Sequence, residues 1–116
     1  NACGLTCDTS GFNSYRVLMQ ALRQRFGNQL VTAAVTASEA NIAKADYAGA
    51  AQYLDFYMVM TYDFFGAFDG DGPTAPHSPL SSYAGIPQQG FDTQTAIAKF
   101  RSIGVPANKL LMGIGF

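Results

Sequence analysis

The sequence predicts an α/β chain with about three parallel strands and intervening helices. Three observations lead there. Three runs, 30–36, 56–62 and 110–116, carry no charge and are rich in β-branched, small or aromatic residues, the pattern of strands buried on both faces. The segments before and between them show helical periodicity or helix-forming composition. The resulting order is helix, strand, helix, strand, long loop, helix, strand, the alternation produced by right-handed crossovers in a parallel sheet.

The elements follow in order. Residues 1–10 (NACGLTCDTS) are small, polar and turn-prone, and read as a loop. Tyr15, Leu18, Leu22 and Phe26 then fall at helical steps. Ser10 is placed to cap that helix and Gly27-Asn28 to stop it. Arg16, Arg23 and Arg25 mark its solvated face. The run 30–36 is the first strand. The Ala-rich stretch 38–53 reads as one or two short helices ending at Leu54, and 56–62 is the second strand. It ends on Asp63, a carboxylate at the tip of an uncharged stretch. Residues 64–91 are mostly Gly, Pro, Ser and aromatics, and a loop of that length inside a compact domain signals function or disorder. Asp92 or Thr93 caps a further helix with Ala96, Ile97, Phe100 and Ile103 as its stripe. Gly104 and Pro106 end it, and 110–116 is the third strand.

Composition excludes several function classes. Charged residues make up 13% of the 116 and the net charge is −1, about half the usual share of ~25%. That removes the electrostatic footprint of a nucleic-acid binder. No run of about 18 apolar residues exists to span a membrane, and no secretory leader pattern opens the chain. Nine Phe and six Tyr, many of them in loops, suit flat, hydroxyl-rich ligands, although rings dominate buried cores as well. Cys3 and Cys7 are the only cysteines. Two sulfurs without a nearby His or second pair make a poor zinc site, so no metal or cofactor is expected. The pair can close a tight loop as a disulfide, which would indicate an extracytoplasmic setting, or remain as two thiols.

Residues 53–63 (YLDFYMVMTYD), continued by Phe64-Phe65-Gly66-Ala67-Phe68-Asp69, resemble the sixth barrel strand and its loop in chitinases of glycoside hydrolase family 18. Residues 30–38 (LVTAAVTAS) resemble the family's fifth strand, and 104–116 (GVPANKLLMGIGF) the approach to its seventh. The loop 72–90, with TAPHSPL and YAGIPQQG, is similar to secreted bacterial members. The resemblance covers essentially the whole chain in the right order. It implies a fragment of a TIM (β/α)8 barrel, with residues 1–116 forming part of a single catalytic domain incomplete at both ends.

The resemblance also implies chemistry. In such barrels the active site lies at the C-terminal ends of the strands, where Tyr62 and Asp63 fall. Strand alternation puts Met60 and Tyr62 on one side. The family's mechanism is substrate-assisted, without a protein nucleophile. On that pattern the Tyr62 hydroxyl donates to the substrate acetamido group, and Asp63 contacts the sugar or that group. Met60 lines the pocket floor. Phe68 stands where relatives often carry Trp, as a platform for a neighbouring sugar. The implied partners are chitin or chitooligosaccharides, with no nucleic acid, membrane or obligate protein partner, and the implied location is extracellular.

The family's general acid is a Glu closing the signature D-x-x-D-x-D-x-E, which the chain does not contain. The resemblance places it just upstream of residue 1, and continues the chain beyond Phe116. The only Glu, Glu39, has no D-x-D before it and reads as a helix start. The isolated chain is therefore expected to be inactive, poorly stable or aggregation-prone. Two rival readings stay open: a chitin-binding lectin that has lost the acid, and an endo-β-N-acetylglucosaminidase. Asp69-Gly70-Asp71-Gly72 lacks the remaining ligands of a calcium loop and reads as a turn. His77, the one histidine, has no triad partner nearby and reads as structural or exposed.

Overall fold

The computed structural model describes residues 5–116. The possible Cys3–Cys7 pairing therefore involves a residue outside those described. Among the described residues, three parallel strands, β1 (Thr32–Val35), β2 (Phe56–Val59) and β3 (Leu110–Met112), form one sheet in the order β1-β2-β3. The register pairs Val35 with Val59 and Val59 with Met112. Each strand is shorter than its uncharged run, because regular pairing stops where the strand tips turn into loops.

The described residues also form four α-helices, α1 (Ser14–Phe26), α2 (Glu39–Ile42), α3 (Tyr47–Ala50) and α4 (Thr93–Ser102), and a 3-10 turn (Ala107–Lys109) leading into β3. The stretch 38–53 is thus two one-turn helices. Asp46 starts α3 by accepting from the Gly49 N–H at 2.8 Å. Asp92 caps α4, accepting from the Thr95 N–H at 2.8 Å, so of the two candidates Asp92 is the cap and Thr93 the first helical residue. At α1 the expectation fails. Ser10 bonds instead to the Asp8 carboxylate through its N–H and hydroxyl. Asn13 takes the cap position without a side-chain bond.

The α1 stripe holds at two of its four positions. Met19 is buried and Tyr15 and Leu22 pack against the core, while Leu18 and Phe26 are about half exposed. Nor is Arg23 a solvated residue. Its guanidinium donates to the Tyr53, Gly27 and Gln29 carbonyls at 2.8 to 2.9 Å and to Asp55 Oδ2 at 2.7 Å. Asp55 also accepts from the Val31 N–H at 2.8 Å. Lys109 Nζ reaches the Ala51 and Leu54 carbonyls at 2.6 Å. These two cations tie together the entries to all three strands.

The core lies between the sheet and the helices. Tyr57, Val59, Ile42, Leu54 and Phe100 are almost wholly enclosed. Tyr57 stacks at 6.0 Å on Phe100, and Tyr47 meets both rings edge-on. Such aromatic geometry adds about 0.5–1.5 kcal/mol per pair beyond burial. Burial pushes the Tyr57 and Tyr47 phenols up and holds that of Tyr15 at about 12.

The two faces of the sheet differ. Along β2 and its extension, Tyr57, Val59 and Thr61 are buried against the helices, whereas Met58 and Met60 are about 40% exposed on the other side. Leu111, in register with Met58, is exposed on the same face.

Candidate functional site

The site forms where β2 runs out. Past Val59 the backbone is still tied on both sides: the Met60 N–H donates to the Val35 carbonyl and the Gly113 N–H to the Val59 carbonyl, each at 2.9 Å. Thr61 points into the core, and its hydroxyl donates to the Gly113 carbonyl at 2.6 Å. Ser78, arriving from the long loop, donates its hydroxyl to the Thr61 carbonyl at 2.7 Å. Tyr62 is held between these anchors and is half-buried. Its ring lies over Gly113, where a Cβ would stand 2.5 Å from the Val59 carbonyl oxygen and 2.8 Å from the ring. Glycine is needed there for close approach.

Asp63 follows in the left-handed region, at φ +55°. Its carboxylate is 71% exposed. Met60, Tyr62, Asp63 and Phe68 all line one groove of about 370 Å³, together with Thr36, Ala37, Ser38, Phe64 and Phe91. The structure therefore brings together all four of the residues named from the sequence for this site. Phe68 is exposed, reached through a turn that Gly66 leaves open: a Cβ on Gly66 would stand 2.5 Å from the Phe68 ring. An exposed ring beside a carboxylate and a phenol suits a sugar, whose C–H face stacks on the ring while its hydroxyls meet the polar groups.

Sequence reading missed the other walls. Thr36 and Ser38 stand just past the end of β1, and the rule that barrel sites gather at strand tips would have found them. Phe91 comes from the far end of the long loop and packs on Phe64 and Phe65 at 5.8 and 5.6 Å. Nothing local marks it.

The long loop is well structured. Phe64, Phe65 and Ile86 are buried, and Asp92 closes its end by accepting from the Ser82 hydroxyl at 2.5 Å. Glu39 begins α2 and is exposed beside α4, in a shallow depression shared with Gln94 and Lys99. It is not among the residues lining the groove. Asp69 and Asp71 are exposed in turns, and among the described residues no cluster of three His, Cys, Asp or Glu side chains is set to hold a metal. A larger depression of about 670 Å³ lies beyond Thr36, between the start of α1 and residues 41–47. It shares only Thr36 with the groove.

The profile of glycosyl hydrolases family 18 matches residues 7–116. Chitinase C of Streptomyces lividans and Chitinase 63 of Streptomyces plicatus are each 60% identical over 121 residues. Each comparison covers 100% of this chain and 20% of the relative. The chain thus spans a fifth of the length of these relatives. Among solved structures, the Ostrinia furnacalis Group II chitinase catalytic domain 2 superposes with a TM-score of 0.84 at 23% identity, over 97% of this chain and 31% of that one. The Ostrinia furnacalis Group IV chitinase in complex with allosamidin gives 0.76 at 34% identity, over 86% and 28%. The fold is accordingly a segment of a (β/α)8 barrel, with β1, β2 and β3 as neighbouring strands. With a family profile running over nearly all its residues, the chain belongs to the glycosyl hydrolases of family 18.

Proposed function

We propose that the protein carrying this chain is a chitinase that hydrolyses β-1,4-linked N-acetylglucosamine polymers with retention of configuration, and that residues 1–116 supply about strands five to seven of its single catalytic barrel. One observation carries the reading: Tyr62 and Asp63 stand together at the C-terminal tip of β2, on a groove floored by Met60 and flanked by Phe68. The 60% identity to two Streptomyces chitinases supports the same substrate class.

On this reading the substrate supplies its own nucleophile. The acetamido carbonyl oxygen attacks the anomeric carbon, the bond to the leaving sugar oxygen breaks, and that oxygen takes a proton from a general acid outside these 116 residues. Water, giving a proton back to the conjugate base of that acid, then opens the cyclic intermediate at the same carbon, and two inversions give net retention. Tyr62 donates its hydroxyl to the acetamido group and holds it for attack, a gain from orientation. Asp63 accepts from the acetamido N–H or a sugar hydroxyl and stabilises the positive charge that develops there. Phe68 offers a face to an adjoining sugar. The action is extracellular, on chitin or its oligosaccharides.

Proton NMR of the intact protein acting on chitin oligosaccharides tests the proposal. The first product formed is expected to be the β-anomer. Initial release of the α-anomer, or no cleavage, would refute it.

A further inference from the structure

The tip that carries Tyr62 and Asp63 is braced from the loop by His77. Asp63 is the sole non-glycine residue with positive φ among the described residues, a conformation that persists where the surroundings hold it in place. The Asp63 N–H points at His77 Nδ1, a long bond at 3.4 Å, and the Phe64 N–H donates to the His77 carbonyl at 2.9 Å. The next residue, Ser78, bonds the Thr61 carbonyl. Residues 77 and 78 thus clip the backbone on both sides of Tyr62. The imidazole also rests on Gly115, where any Cβ would collide with it and would stand 2.9 Å from Tyr62 Cβ.

The Asp63 carboxylate, with Oδ1 3.6 Å from Nδ1, lies beyond hydrogen-bond reach. The ring therefore holds the Asp63 backbone and leaves its carboxylate open to the groove. We propose that His77 is a positioning residue for catalysis, fixing the left-handed turn that presents Asp63, and with it Tyr62, to the substrate. The proposal rests on the role given above to that pair.

The test uses kcat, KM and melting temperature of the intact enzyme on a chromogenic chitobiose substrate. His77→Phe keeps a ring and removes the acceptor, while His77→Asn keeps an acceptor near the place of Nδ1. His77→Phe is expected to lose about tenfold in kcat with KM little changed, and His77→Asn to stay within about threefold of the parent. Tyr62→Phe runs alongside. Full kcat in His77→Phe with strong loss in Tyr62→Phe would overturn the role of His77 and leave the pair standing. Full kcat in Tyr62→Phe would remove both. Should the Phe variant not fold, His77→Ala takes its place, and equal losses in Ala and Asn would overturn the proposal.

Discussion

The Thr61 hydroxyl donates to the Gly113 carbonyl at 2.6 Å, and this bond joins β2 to the segment after β3 just where Tyr62 leaves the sheet. Thr61→Val keeps the shape and deletes the donor, leaving a partly enclosed carbonyl unpaired. The expected loss is about 1–3 kcal/mol, read as a lower urea midpoint of the intact protein. A midpoint equal to the parent's would show that the bond does not hold the tip.

Gly113 faces that tip from the other side. In Gly113→Ala the new Cβ meets the Val59 carbonyl oxygen and the Tyr62 ring well inside contact distance. Overpacking of this kind costs about 1–3 kcal/mol and moves the phenol. A falling kcat together with a lower melting temperature is expected; native values of both would contradict the packing described.

Asp92 anchors the end of the long loop with one carboxylate. Burial pushes its pKa up, but bonds from Ser82 and Thr95 outweigh this and leave it below the ordinary value. A carboxyl whose pKa is lower folded than unfolded contributes stability above the unfolded value, near pH 4, and loses it as the pH falls through the folded value. Asp92→Ala is expected to cost about 1–3 kcal/mol at pH 7. The difference from the parent should shrink below pH 4, as chemical denaturation in parallel buffers would show. A constant difference down to pH 2 would be the opposite result.

The isolated 116-residue chain leaves Met58, Met60 and Leu111 in water on one face of the sheet, and among the described residues β1 and β3 each have an unpaired side. Such edges and faces promote association. Size-exclusion chromatography should show aggregates or a dye-binding, poorly packed species. A sharp monomer peak with a cooperative melt would contradict this expectation.

Much of the fold was legible because parallel strands announce themselves as uncharged runs, and all three lie inside the runs at 30–36, 56–62 and 110–116. The cap at Asp92 was legible because its partner, Thr95, is three residues away. Of the α1 stripe, Tyr15 and Leu22 were legible and Leu18 and Phe26 were not, since Val17, Leu18 and Met19 offer adjacent apolar choices and only packing against the core selects Met19. Arg23 looked like a surface charge because its carbonyl partners at Gln29 and Tyr53 and the Asp55 carboxylate belong to other segments. The four site residues lie within nine positions of one another, so a local motif could name them. His77 and Phe91 reach the same place through the long loop, with no periodic signal to mark them.

The role proposed for the Tyr62 phenol is to hold and polarise the acetamido group at the strand tip. It is tested by kcat of Tyr62→Phe against the parent in the intact protein, on a chromogenic chitobiose substrate. A drop of about a hundredfold is expected, with the melting temperature retained. A folded variant that keeps the parental kcat would contradict it.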